Sequence, residues 1–68
     1  MSEKVFKKIS VVGTSSESYE GAISAAVAKA SESLRGLAWF EVKELRGGVD
    51  SDGKIQWQAA VDVAFKLD

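Results

Sequence analysis

The chain's apolar pattern predicts an α+β domain of order β-α-β-β, a three-stranded antiparallel sheet with one amphipathic helix packed on one face. Three observations point there. Ile55, Trp57, Ala59, Val61, Val63, Phe65 and Leu67 share one parity while Gln56, Gln58, Ala60, Asp62, Ala64, Lys66 and Asp68 share the other, the alternation of a half-buried strand. Tyr19, Ala22, Ile23, Ala26, Val27, Ala30 and Leu34 recur at the spacing of one helix face. Two further β-branched and aromatic runs are bounded by glycine-containing turns.

The first strand covers Val5 to Val12, with Val5, Ile9 and Val11 in one parity and Lys8 and Ser10 in the other. Lys7 interrupts one phase, Phe6 and Val12 the other. Gly13-Thr14-Ser15-Ser16 then supplies a turn, and Thr14 with Glu17 has the S/T-x-x-E spacing of a capping box, so a helix is expected from about Ser16. Its alanines make a shallow stripe that can lie close to a sheet, and Gly36 after Arg35 suits a C-terminal cap. The second strand runs from Leu37 to Arg46, and Gly47 to Gly53 reads as a turn in which Gly47, Gly48 and Asp52-Gly53 suit positive φ. No repeat, linker or low-complexity segment interrupts residues 1–68, which read as a single domain.

Composition narrows function. With 68 residues, 9 Lys+Arg against 10 Asp+Glu, and no His or Cys, the chain has no disulfide, no thiolate zinc site, no Ser-His-Asp triad and no Cys nucleophile. A net charge of −1 gives no electrostatic footprint for nucleic acid. Met1 to Ser10 lacks a signal-peptide pattern and no apolar run is long enough to span a bilayer, so a cytoplasmic protein without a membrane partner is expected. A domain this small buries little of its surface, and without disulfides or Cys-based metal sites, self-association is the expected source of robustness.

One aromatic falls on the wrong face. If the helix covers the side carrying Trp57, Val61 and Phe65, strand two adds Phe40 and Val42 there, and Trp39 points away, among Glu41, Lys43, Gln56, Gln58 and Asp62. A slip at Glu44-Leu45, as a bulge allows, carries Arg46 to the same side. Trp39, Gln58 and Arg46 then offer an indole plane, an amide and a guanidinium, a kit for stacking a heteroaromatic ring, bonding its polar edge and pairing with a phosphate. The competing reading packs Trp39 in a contact between subunits. Asp50-Ser51-Asp52-Gly53 lacks the full spacing of a calcium loop and reads as a turn, so no metal is assigned. Gly47-Gly48 is not a dinucleotide loop, and no carboxylate stands out for acid-base chemistry.

The stretches Val11-Val12-Gly13-Thr14-Ser15, Trp39-Phe40-Glu41-Val42 and Gln58 to Phe65, in this order and at this length, resemble the dodecins, and the match spans essentially the whole chain. The resemblance implies a hollow homododecamer that holds flavins in pairs at subunit contacts, storing and photoprotecting them without catalysis. It assigns the ring-stacking role to Trp39, the bond to the pyrimidine edge to Gln58 and the FMN phosphate to Arg46; riboflavin lacks that phosphate and stays open. Two departures are the absence of His after the Arg46-Gly47-Gly48 glycines and Lys66 where relatives carry Arg. A small flavin-dependent electron carrier or enzyme, and a structural module without ligand, are the alternatives.

Overall fold

In the computed structural model, which describes residues 3–68, the order is β1 (Val5–Ser15), α1 (Tyr19–Ser33), β2 (Leu37–Val49) and β3 (Ile55–Leu67). Met1 and Ser2, included in the single-domain and signal-peptide readings, lie outside the described residues. The three strands form one antiparallel sheet in the order β1-β3-β2, so the strand with the cleanest alternation is the central one.

β1 runs on to Ser15, past the expected turn, because Gly13, Thr14 and Ser15 pair with Ala59, Gln58 and Trp57. Thr14 is therefore held in the ladder and forms no capping box. Ser18 caps the helix instead, its hydroxyl accepting from Gly21 N at 2.9 Å, while Ser15 Oγ accepts from the backbone N–H groups of Glu17 and Ser18. Two serines thus satisfy three of the donors that the chain frees as it leaves the sheet. At the far end Leu34 is the C-cap, Gly36 takes a φ of 73°, and its carbonyl accepts from Lys66 N, tying the helix exit to β3.

The Gly47-Gly48 reading is corrected. Both glycines continue β2, opposite Trp57 and Gln56, and the turn is confined to Asp50–Lys54, where Gly53 alone has positive φ, 80°. Asp50 organises that turn, its carboxylate accepting from Asp52 N and Lys54 N, each at 2.9 Å.

The core is small: Ala22, Ala26 and Ala30 of α1 lie on Ala59, Val61 and Val63 of β3, flanked by Ile9, Val11, Ile23, Val27, Leu34 and Leu37. Tyr19 meets Trp57 edge to face at 4.8 Å at the end of this layer. The helix's 15 residues span about 22 Å and the 13-residue strands about 43 Å, so one helix cannot roof the sheet. It settles over β1 and β3 and barely reaches β2. Phe40, Val42 and Leu45, which share the helix-facing side through their pairing with Val63, Val61 and Ala59, consequently stay 42–47% exposed.

The close approach of α1 is licensed at Gly13, where a Cβ would collide first with the Ala22 carbonyl oxygen and lie 2.9 Å from both Cβ and N of Ala26. Gly13→Ala is expected to push the helix off the sheet and cost about 1–3 kcal/mol, the usual range for overpacking. Urea unfolding of the two forms at equal subunit concentration checks this.

Candidate functional site

The side of the sheet opposite α1 is open, and register decides what it carries. On β2, Trp39 pairs with Ala64, Glu41 with Asp62, Glu44 with Ala60, Arg46 with Gln58 and Gly48 with Gln56. Val42 and Glu44 oppose consecutive residues of β3, which leaves Lys43 as the extra residue of a bulge. The slip comes one residue earlier than the Glu44-Leu45 expectation, with the same consequence that Arg46 shares the face of Trp39. A second irregularity, at Ala38, has no counterpart in the sequence reading.

Trp39 occupies one end of this face and is 43% exposed. Its indole N–H donates to Glu41 Oε2 at 2.9 Å, so its one polar atom is satisfied within the strand. The Phe6 ring of β1 lies 4.9 Å away, tilted by 59°. Between them Ala64 of β3 is fully buried although it faces away from the helix, paired to Lys8 on one side and Trp39 on the other. A small central residue thus lets side chains of both edge strands meet over it.

Glu41 joins this end together. Lys8 Nζ donates to its two oxygens at 3.1 and 3.3 Å, and Lys43 Nζ stands 3.6 Å from Oε1. The bond from Trp39, then that from Lys8, with the fields of Lys8 and Lys43, hold the Glu41 carboxyl below the ordinary glutamate range. Beside it Ser10 donates to Asp62 across the β1–β3 pair.

Arg46 and Gln58 form the other end. Arg46 Nε donates to Gln58 Oε1 at 2.6 Å and Nη1 lies 3.4 Å from Glu44 Oε1, while Gln58 Nε2 donates to Gln56 Oε1 at 2.7 Å. The guanidinium keeps further N–H donors for an anion. A Cβ on Gly48 would touch Gln58 Nε2 at 3.4 Å, so the glycine leaves the amide uncrowded from that side. The structure therefore joins Arg46 to Gln58 and separates both from Trp39: from Ala64, opposite Trp39, back to Gln58 along β3 is about 20 Å at strand rise. A fused three-ring heterocycle is too short to span that gap within one chain.

Sequence reasoning passed over Phe6 and Lys8 and treated Glu41 as a solvated charge. The phase-breaking position of Phe6 was the available signal, since an apolar residue on the polar parity of β1 needs a partner on the open face.

The sequence model of the family described as dodecin matches residues 5–68. The chain belongs to the dodecin family. This dodecin is 49% identical over 65 residues to the dodecin of Thermus thermophilus, covering 96% of this chain and 94% of that one. It is 38% identical over 63 residues to the calcium dodecin of Mycobacterium tuberculosis, covering 93% and 89%. The structure of the Streptomyces coelicolor dodecin superposes with a TM-score of 0.91 at 39% identity, covering 100% of this chain and 97% of that one. Dodecins are small, non-enzymatic, ligand-binding storage proteins of oligomeric architecture. The M. tuberculosis relative is described as calcium-chelating, with a novel calcium-binding site. In this dodecin, no group of three or more His, Cys, Asp or Glu residues among the described residues is placed to hold a metal ion. Among them, too, no helix is long and apolar enough to cross a membrane.

Because Glu41's folded pKa is depressed, its contribution to stability is complete above the unfolded-state value and is lost as pH falls through the lowered one. The Trp39 indole N–H resonance is expected to hold steady from neutrality through the ordinary glutamate range and to move only below it. In Lys8→Met, which removes two hydrogen bonds to the carboxylate, that movement is expected at higher pH. NMR titration of the ¹⁵N-labelled protein, with Trp39→Phe to assign the peak, measures both.

Proposed function

We propose that this protein stores and photoprotects flavin, FMN or riboflavin, without catalysis, at contacts between subunits of a hollow homododecamer. The single observation that carries the reading is Trp39. A large indole lies 43% exposed on the open face with its N–H already bonded to Glu41, so its ring has no polar need left and can serve as a stacking platform. The donor set at the other end suits the rest of the ligand. The Gln58 amide offers both donor and acceptor character to a pyrimidine-like edge, and the Arg46 guanidinium, once released from Gln58 Oε1, suits a phosphate monoester at the end of a flexible tail.

The separation of about 20 Å along β3 is more than a three-ring system spans, which favours Trp39 and Gln58 meeting one flavin ring from different chains. Association has its own motive in the uncovered stripe of Phe40, Val42 and Leu45. A bound flavin supplies a ring that absorbs blue light and accepts an electron. The role of this chain would be to lay the Trp39 indole against that ring, where it would serve as the electron donor that quenches the excited state. Nothing among the side chains of the open face resembles an acid-base partner beside a substrate cavity, in keeping with storage. We place the protein in the cytoplasm, with no nucleic-acid or membrane partner.

Fluorescence titration of riboflavin and of FMN into the ligand-free protein, with size-exclusion chromatography of the same samples, tests the reading. Saturable quenching in a particle much larger than one chain is the expected result, and unchanged emission with both ligands would refute it. Trp39→Ala is expected to weaken both ligands by about 10–100-fold, as loss of one aromatic stacking partner does elsewhere. Arg46→Ala is expected to weaken FMN by about tenfold or more, the scale of a hydrogen bond to a charged group, and to leave riboflavin nearly unchanged.

A further inference from the structure

Glu41 is tied to the indole more closely than a solvated carboxylate needs to be. It lies two positions along β2 from Trp39 on the same face, accepts the indole N–H at 2.9 Å, and is held by Lys8 from β1. Nothing in the storage reading uses it. We propose that Glu41 is a positioning residue for Trp39 that also sets its strength as an electron donor, an inference that rests on the flavin reading. A carboxylate anion bonded to the indole N–H fixes the ring's rotation and places negative charge beside it, which favours departure of an electron from the ring.

The step conserves atoms. One electron passes from the Trp39 indole to the light-excited flavin ring, leaving the indole positive and bonded to the Glu41 anion, and the same electron then returns. No bond is broken and no outside reductant is consumed. The cations around Glu41 oppose its effect. Lys8 on β1 bonds it at 3.1 and 3.3 Å and Lys43 on β2 stands at 3.6 Å, whereas Asp62, opposite it on β3, adds negative charge and is itself bonded by Ser10. The helix packs on the other side of the sheet and contributes no charge here.

Two variants with opposite expected signs make the test. Glu41→Gln keeps an acceptor of similar shape and removes the charge. Lys8→Met keeps the charge and removes its nearest cation. In the ligand-free protein, the Trp39 indole N–H resonance, assigned by its loss in Trp39→Phe, is expected to move upfield in Glu41→Gln. With riboflavin bound, the excited-state lifetime is expected to lengthen several-fold in Glu41→Gln and to shorten in Lys8→Met, with the dissociation constants close to that of the parent. Lifetimes unchanged in both variants, or changed in the same direction, would overturn the proposal. If Trp39→Phe itself leaves riboflavin as strongly quenched as in the parent, the stacking role of Trp39 fails instead, so the two failures are told apart. Should Glu41→Gln not fold, the sign of the Lys8→Met change decides alone.

Discussion

The rest of this molecule depends on a mismatch of lengths. A 15-residue helix is laid on strands of up to 13 residues, and the rise per residue in a strand is more than twice that in a helix. The helix is thus about half as long as its sheet, and it is placed off-centre, over β1 and β3. What it covers becomes a core of alanines and valines. What it leaves bare, the Phe40, Val42 and Leu45 side of β2, makes the isolated chain an incomplete object. The opposite face has no helix at all. Association through the bare stripe, and through the ligand contacts proposed for the open face, can therefore draw on both surfaces of the same sheet.

The small residues are what make so thin an arrangement hold. Gly13 lets the helix backbone come down onto β1, and Ala22, Ala26 and Ala30 keep the layer shallow. On the open side Ala64 does the equivalent for the side chains of the edge strands, which meet over it. In each case a missing side chain on one element lets another element approach. The aromatic residues are correspondingly peripheral, Tyr19 with Trp57 on the helix side and Phe6 with Trp39 on the other.

Much of this was legible in the sequence, for identifiable reasons. β3 is central and half-buried along its length, so its alternation is clean, and parity alone put Trp39 and Gln58 on the face away from the helix. Arg46 was reachable because Leu45 breaks phase after Val42. The Ala38 irregularity broke no visible pattern, so nothing in the chain announced it. Gly47-Gly48 looked like a turn because a glycine pair usually is one, yet here it lies within a ladder where Gly48 borders the Gln58 amide. Thr14 looked like a cap because the spacing to Glu17 is right, but pairing with Gln58 carries the strand past it and Ser18 takes the role. The separation of Trp39 from the Arg46–Gln58 pair required a register between two strands, which a linear pattern does not contain. Glu41 was placed beside Trp39 by parity but given no role, because a carboxylate gains its meaning only from what it bonds.

The distance between the two ends of the open face has a thermodynamic consequence. If a ligand needs an indole from one chain and an amide and guanidinium from another, an isolated chain has little affinity for it, and every bound molecule adds its free energy to the contact between subunits. On that proposal occupancy and cohesion are linked functions: abundant ligand strengthens the contact between subunits and scarce ligand weakens it, by reciprocal amounts. The composition reinforces this, for without His or Cys the chain lacks the side chains that most commonly sense pH near neutrality or redox state. Ligand concentration is the signal to which a linkage of this kind responds.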